Sequence, residues 1–507
     1  MTPPNCQTIF IKGDLLEALP AKALGKLQAR QSNASDGEAF RVLDCFSGSV
    51  AKSGGLLIET DRRLVLYTSD GAVAEQDGTG ASAIFVTDLA EGPVKDGLAK
   101  VSPLRSLIPI AHGRMSLRDI SVVDDEEKAH ARARIRMLAS DGASVILASV
   151  VGLRGYDKAF DGLTQGLKTL ESAEAIDVGR VAEILAPDRL RYEPKPVVSI
   201  EDGDHAYDVA NRIIAAYLPV VRINEPGVIE DYDTEFLHDY RVALRKIRSV
   251  ISLFKGVYSE EETLALKTEF SDLMAVTGRL RDLDVYLLEK NLYFDLLPEA
   301  LHPGLSLMFR KFTTERKAKH RALVRHLKSA TYVKRIGALE ALFAGDGPAA
   351  GPEAGLDAEV YASRLIWSRY RKACKTAATI GVDTSDDDVH ELRIRCKKLR
   401  YLMELFGGLY PEVVMGGLLK PLKKLQNNLG LFNDFSVQQI SLQDYLDGLK
   451  PDAKGGYTEQ AKSIGALIAT LHDRQVEERG KVMANFARFD SPEIRDTFRT
   501  HFKGKAA

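Results

Sequence analysis

Two stretches of this chain follow one plan: HDYRVALRKIR begins at His238, and HELRIRCKKLR begins at His390, 152 positions later. At that single offset Arg241 meets Arg393, Arg245 meets Lys397, Lys246 meets Lys398 and Arg248 meets Arg400. The register holds without a gap through Phe254 and Phe406, Tyr258 and Tyr410, Leu273 and Leu425, Gly278 and Gly430, Asp282 and Asp434, and Val285 and Val437; upstream, Arg212 meets Arg364. Chance could align one basic cluster, but not aromatic, glycine and aspartate positions as well. An internal duplication is therefore the first constraint on the fold.

Placed on a helix, His238, Arg241, Arg245 and Arg248 stand at i, i+3, i+7 and i+10, one narrow stripe. His390, Arg393, Lys397 and Arg400 repeat it, and Leu244, Ile247 and Ile251 can face a core from a neighbouring stripe. Like charges one turn apart repel. A stripe of this kind is ordinarily a solvated face paired with acids. Here Asp239 is the only acid from 238 to 255 and Glu391 the only one from 390 to 400, so intrahelical pairing is not expected to neutralise either ladder. Arginine's planar fork suits phosphate oxygens, and the pattern points to an anion. Lys246 and Lys398 add to the basic positions.

Composition bounds the rest. With 507 residues, 45% of them hydrophobic, the chain can build several cores. A net charge of −2 gives no global pull toward polyanions, so affinity must come from charge patterned on one surface. Four scattered cysteines give no zinc signature and fit reduced thiols inside a cell. The opening MTPPNCQTIFIKGD does not read as a signal peptide, and no apolar run is long enough for a membrane helix. No HExxH spacing or cofactor motif occurs, so neither a metal nor a cofactor is expected on the ladders. Each histidine shares its stripe with arginines, which disfavours its protonation. Asp282 and Asp434 read as residues that orient a ladder arginine or cap a helix rather than as catalytic groups.

Texture changes near residue 200. Before it, AFRVLDCFSGSV, GGLLIET, RRLVLYTSDG, ASAIFVTDL, MSLRDISVV and SVILASVVGL read as strands, and a helix is expected over about 157–175. After it, apolar residues recur at helical spacing. The expected layout is α+β multidomain: a β-rich unit over 1–190, a linker at 191–203 and an all-helical unit over 204–507. The latter divides into repeat one (about 204–343), a linker at 344–355 poor in residues that could pack, and repeat two (about 356–507). A further basic tract at 310–328 reads either as an extension of the positive surface or as an exposed helix.

The two ladders, with GRLRDLDVY and GLFNDFSVQ after them, resemble the repeats of the CHAD (conserved histidine α-helical domain) family over about 200–507. The resemblance implies two pseudo-symmetric helical bundles around a basic groove that binds inorganic polyphosphate, often at cytoplasmic polyphosphate granules. The residues it points to are His238, Arg241, Arg245, Lys246, Arg248, His390, Arg393, Lys397, Lys398 and Arg400. One departure is Asn433, which stands where repeat one has Arg281. The N-terminal unit is similar to CYTH domains, tunnel barrels that bind triphosphate and metal. In KAHARARIR, Lys128, His130, Arg132, Arg134 and Arg136 would share one strand face. The opening ExExK motif of that family is represented here by TIFIK, with Thr8 and Phe10 at the carboxylate positions and only Lys12 kept. A hard divalent cation wants oxygen ligands, which Phe10 does not supply. The expectation is a degenerate CYTH-like domain, no catalytic residues, and no specific nucleic-acid or membrane partner. A metal-dependent triphosphatase or polyphosphatase, with the helical unit as substrate anchor, is the alternative; the acids at Asp124, Asp125, Glu126 and Glu127 are its densest candidate cluster.

Overall fold

The computed structural model describes residues 6–13, 24–32, 37–61, 63–78, 84–169, 174–187, 192–381, 384–450 and 456–503. The chain divides into two compact units, Met1–Pro194 with Tyr232–Glu235, and Lys195–Asp231 with Phe236–Ala507. The first is built on an antiparallel sheet and the second on helices, an α+β multidomain layout.

In the first unit, β1 (Cys6–Lys12), β2 (Gln28–Gln31), β3 (Glu38–Cys45), β4 (Gly55–Glu59), β5 (Arg63–Thr68), β6 (Val73–Asp77), β7 (Ile84–Phe85), β8 (Ser106–Val123), β9 (Ala129–Ser140), β10 (Ala143–Gly152) and β11 (Glu174–Ile176) form one sheet. Its order is β11-β1-β10-β9-β8-β3-β4-β5-β6, with β2 and β7 also on β8. Of the run expected at 81–89, residues 81–83 lie outside those described and only Ile84–Phe85 is strand. The helices are α1 (Ser49–Lys52), α2 (Pro93–Gly97), α3 (Asp157–Lys168) and α4 (Val178–Leu185). The helix expected to run to 175 ends at Lys168, and Glu174–Ile176 instead pairs with the edge of β1.

Alternation sorts the strand residues onto two faces. Ile9 and Ile11 of β1, Ala133 and Ile135 of β9, and Ile146 and Ala148 of β10 pack under Leu163 and Leu167 of α3. Their neighbours Thr8, Phe10, Arg132, Arg134, Arg136 and Ser149 fall on the other face. The sheet curls around that face. Arg136 of β9 reaches Glu75 of β6 at 3.9 Å, although four strands separate them in the order. Close approach within the sheet requires Gly113 of β8, where a Cβ would lie 1.9 Å from the Ala139 carbonyl oxygen.

The second unit holds α5 (Ala206–Glu230), α6 (Thr234–Leu253), α7 (Glu260–Ala275), α8 (Gly278–Leu288), α9 (Lys290–Asp295), α10 (His302–Leu327), α11 (Ala330–Ala344), α12 (Ala358–Ala377), α13 (Asp386–Leu405), α14 (Glu412–Asp447), α15 (Gly456–Phe489) and α16 (Pro492–Phe498). The offset of 152 recurs in the helix limits, carrying both ends of α6 onto α13 and the start of α7 onto that of α14. The repeats then diverge. Repeat one breaks between α7 and α8 at Val276 and Thr277, whereas α14 runs through the corresponding positions, where Leu429 stands at the place of Thr277. In the core, Phe254 stacks on its offset partner Phe406, with ring centroids 4.6 Å apart and planes 12° apart.

The 344–355 segment joins the helix ending at Ala344 to the one starting at Ala358. Though poor in large side chains, it is pinned by its backbone. The Gly351 amide donates to the Val257 carbonyl at 2.8 Å, the Ser259 amide to Ala349 at 2.9 Å and the Glu353 amide to Gly256 at 2.7 Å. The Tyr207 hydroxyl donates to the Pro348 carbonyl at 2.6 Å. Glycine is what permits the fit, since a Cβ on Gly351 would lie 2.4 Å from the Tyr258 carbonyl oxygen.

Candidate functional site

In α6 the apolar residues Tyr240, Ala243, Leu244, Ile247, Val250 and Ile251 are buried, and in α13 Val389, Leu392, Cys396, Leu399, Leu402 and Met403 are buried. This fixes the rotation of each helix, and the ladder residues between them emerge at the margin of the core. Five come together. Arg245 and Arg248 of α6 and Arg393, Lys397 and Lys398 of α13 line one groove of about 340 Å³, with Ser249, Ser252, Met274, Ile394 and Tyr401 completing the wall. None of the five has an ion-pair partner among the described residues.

The cost of this crowding is visible at Lys397, whose ammonium is pushed down to about 8 by burial and then by the positive charges of Arg393, Arg245 and Arg400. Asp434 pulls the other way but does not offset them. Burial and neighbouring arginines therefore act together on one cation, and the charge of an anion in the groove would oppose their effect.

The other ladder residues have different surroundings. The Arg241 guanidinium donates to the Thr277 hydroxyl and, at 3.5 Å, to the Met274 carbonyl. It thereby joins the Thr277 amide and hydroxyl, which donate to the same Met274 carbonyl at 3.2 and 2.7 Å, where repeat one breaks its helix. Arg393, its offset partner, lines the groove instead. The Arg241 guanidinium is depressed by burial and then by Arg245, and the charge of Asp282 partly offsets this. The Lys246 ammonium donates to Glu404 at 2.9 Å and lies 5.1 Å from the centre of the Tyr401 ring. Arg400 reaches the same carboxylate at 3.6 Å. Glu404 lies four residues beyond Arg400, just outside the span in which Glu391 was the only acid. Intrahelical pairing thus reaches one end of the second ladder, contrary to expectation. Glu391 itself pairs with Arg395 at 2.5 Å.

His238 is half-buried in the second turn of α6. His390 is exposed, and its Nδ1 donates to the Asn433 side-chain oxygen at 2.8 Å. The departure from the repeat at Asn433 therefore places an acceptor against the second histidine. Neither histidine lines the groove.

Tyr401 and Glu404 escaped the sequence reading. Tyr401 has Lys246, Lys397 and Arg400 at 5.1, 5.7 and 5.6 Å from its ring centre, a cation–π cradle for cations from both ladders. The available signal was spacing, because Tyr401 follows Lys397 by four residues and Glu404 follows Arg400 by four. In the 310–328 tract, Arg316 is held by Asp231 at 2.6 Å and Asp284 at 2.7 Å, whereas Arg310, Lys317, Lys319, Arg321, Arg325 and Lys328 are exposed. None of them lines the groove.

The sheet unit has its own basic hollow of about 600 Å³, lined by Arg132, Arg134, Arg136, Glu75, Asp119 and Ser121 among others. Here acids accompany the arginines: Arg134 meets Asp119 at 3.0 Å, and Arg136 meets Glu75. The residues at the TIFIK positions do not fit a divalent cation. Phe10 is buried edge-on to Tyr67 with centroids 6.0 Å apart, and Thr8 Oγ1 contacts Ser149 Oγ at 3.5 Å. The acidic run at 124–127 forms the β8–β9 turn instead of lining the hollow. The Asp124 carboxylate accepts from the Glu126 and Lys128 amides and meets His130 Nε2 at 2.7 Å. Among the described residues no group of three or more His, Cys, Asp or Glu could hold a metal ion. No described helix is long and apolar enough to cross a membrane.

Comparison with known proteins bears on the helical unit. The family model of the CHAD domain matches residues 212–443. Two curated relatives, Uncharacterized protein MT2285 of Mycobacterium tuberculosis (strain CDC 1551 / Oshkosh) and Uncharacterized protein Rv2226 of Mycobacterium tuberculosis (strain ATCC 25618 / H37Rv), are each 27% identical over 255 residues, 48% of this chain and 47% of theirs. The match thus spans about half the length of these relatives. Among solved structures, the CHAD domain from the plant Ricinus communis is 26% identical, with a TM-score of 0.43 over 54% of this chain and 95% of that one. PptA from Streptomyces chartreusis is 15% identical, with a TM-score of 0.42 over 59% of this chain and 100% of that one. Both ladders and the groove between them fall inside the matched segment, and the chain carries a CHAD domain over residues 212–443.

Proposed function

We propose that the helical unit binds inorganic polyphosphate in the groove between α6 and α13. The observation that carries this reading is the set of five cations, Arg245, Arg248, Arg393, Lys397 and Lys398, that line one groove without an ion-pair partner among the described residues. Folding brings these charges together against their mutual repulsion, and a multivalent anion offsets that cost. Phosphate oxygens match the guanidinium fork, and a linear chain with charge on every phosphate can touch both helices at once. The stacked pair Phe254 and Phe406 supports a pseudo-twofold relation between the repeats, with the two ladders approaching across it. Association with polyphosphate granules follows from the same affinity.

Single-stranded nucleic acid is a weaker fit. Its binders add aromatic platforms for the bases. Tyr401 is the one aromatic residue among those lining the groove, and three cations attend its ring. A metal-dependent triphosphatase in the sheet unit is weaker still, because Thr8 and Phe10 do not supply its carboxylates and the arginines of the hollow already have acids nearby. Titration of the full chain with long-chain polyphosphate, tripolyphosphate and duplex DNA at one salt concentration tests the reading. Long-chain polyphosphate is expected to bind tightest, with affinity falling steeply as salt rises. Equal or tighter binding of DNA refutes it.

A further inference from the structure

A second group of cations adjoins the groove, and the ladders do not account for it. Arg369 and Lys372 stand one turn apart on α12, and Arg395 and Lys398 stand one turn apart on α13, the helix against which α12 packs. Lys255 follows α6 and is tied to α12 through its backbone, where the Tyr361 hydroxyl donates to the Lys255 carbonyl at 3.0 Å. Lys398 belongs to both groups, because it also lines the groove.

Electrostatics supports the grouping. The Lys398 ammonium is lowered by burial, then by Arg369 and Arg395, with Lys255 a further cause. Lys372 is lowered first by Arg369, then by burial, Arg395 and Lys255. Arg369 is lowered by burial and then by Arg395. Lys398 and Lys372 thus each feel Arg369, Arg395 and Lys255. The acid at hand, Glu391, is already paired with Arg395. Arg369, Lys372, Lys398 and Lys255 have no ion-pair partner among the described residues.

Apart from Lys398, no member of the group has a cationic counterpart in the other repeat. At the offset of 152, Arg369 falls on Tyr217, Lys372 on Val220, Arg395 on Ala243 and Lys255 on Gly407. The duplication therefore supplied the groove, and these charges were placed separately, on one side of it.

We propose that Arg369, Lys372 and Lys255 form an exit track that takes up the part of a long polyphosphate chain extending past Lys398 out of the groove. The proposal rests on the function proposed above and adds a chain-length preference to it. Arg393 to Tyr401 spans about 12 Å of helix, room for a short oligophosphate but not a long one. A chain that outgrows the groove meets further unpaired cations on the side of Lys398 and none of their counterparts on the other.

The test compares the full chain with the double variant Arg369→Ala/Lys372→Ala, titrated with tripolyphosphate and with long-chain polyphosphate. Removing two phosphate contacts is expected to weaken long-chain binding about tenfold or more, while tripolyphosphate binding stays within about twofold. Circular dichroism establishes that the variant is folded. Because Arg369 is half-buried, Lys372→Glu, at an exposed position, serves as the second variant and is expected to shift affinity in the same direction. Wild-type affinity for the long chain in both variants overturns the track while leaving the groove intact. Equal losses for both ligands also overturn it, because they place these residues in the groove itself. A wild-type chain that binds neither ligand overturns the underlying function as well.

Discussion

The strand face of β9 and the groove between α6 and α13 carry similar numbers of basic side chains in very different company. On β9, Arg134 and Arg136 meet Asp119 and Glu75, and His130 meets Asp124. In the groove, Arg245, Arg248, Arg393, Lys397 and Lys398 meet one another. The Arg134 guanidinium is raised above its ordinary value, first by its hydrogen bond to Asp119, while the Lys397 ammonium is depressed. The same residue types thus pair with acids on a curled sheet in one place and stand together without an ion-pair partner among the described residues in the other. What separates the two is the placement of acids, which a count of basic residues along the chain does not reveal.

The most forceful way to break this comparison is to empty both surfaces. Arg245→Ala, Arg248→Ala, Arg393→Ala and Lys397→Ala together are expected to lower affinity for long-chain polyphosphate by at least about a hundredfold, since each contact contributes roughly 1.5–3 kcal/mol where well formed. Arg132→Ala with Arg134→Ala is expected to change it by less than about twofold. Far-UV circular dichroism and a binding titration read both outcomes. A larger loss from the strand pair would locate the polyanion in the sheet hollow. Arg241 is left out of the groove set because its bonds to Thr277 and Met274 hold the α7–α8 junction, so its removal would report stability as well as binding.

The pH dependence sharpens the contrast. Lys397 has its folded value near 8, below the ordinary lysine value of 10.5. In the free protein it binds fewer protons than in the unfolded chain between these limits, so its contribution to stability grows as pH rises from about 8 toward 10.5. Binding has the opposite sign, because a polyanion favours the protonated ammonium. Affinity is expected to fall as pH rises through 8, by up to about tenfold per unit, with proton uptake on binding above that point. Lys397→Arg keeps the charge and should flatten the profile. Calorimetry in buffers of different ionisation enthalpy measures the uptake, and a profile unchanged by that substitution would remove Lys397 from the site.

Much of this was legible in the sequence. The duplication placed α6 and α13, and the alternation around Ala131, Ala133 and Ile135 placed the arginines of β9 on the face opposite α3. The division of labour among the ten ladder residues was not legible, because it depends on contacts between segments far apart in the chain. Arg241 and Arg393 are equivalent in sequence, and they differ because Thr277 interrupts a helix that Leu429 continues. Lys246 and Lys398 are equivalent too, and they differ because Glu404 lies beside Lys246 while Arg369 lies beside Lys398. The β-rich texture foretold a sheet, but that its curl would bring Glu75 to Arg136 depended on strand order.

Glu404 offers the finest test of the idea that acids decide which cations are available. Its carboxylate holds Lys246 at 2.9 Å and Arg400 at 3.6 Å, beside the Tyr401 ring that both cations touch. Glu404→Gln keeps the shape and removes the charge, adding two unpaired cations to the five already present. Two effects then oppose each other. The folded state loses an ion pair whose partners are each about a quarter exposed or less, so the loss is screened in part and amounts to about 1 kcal/mol. The groove gains net positive charge, so long-chain polyphosphate is expected to bind about threefold to tenfold tighter at low salt, with the gain shrinking as salt rises. Thermal melts with and without polyphosphate separate the two, because the variant should melt lower alone and recover more than wild type when the polyanion is added. If affinity falls instead, Lys246 and Arg400 serve the groove only while Glu404 holds them in place, and the acid is part of the site rather than a competitor for its cations.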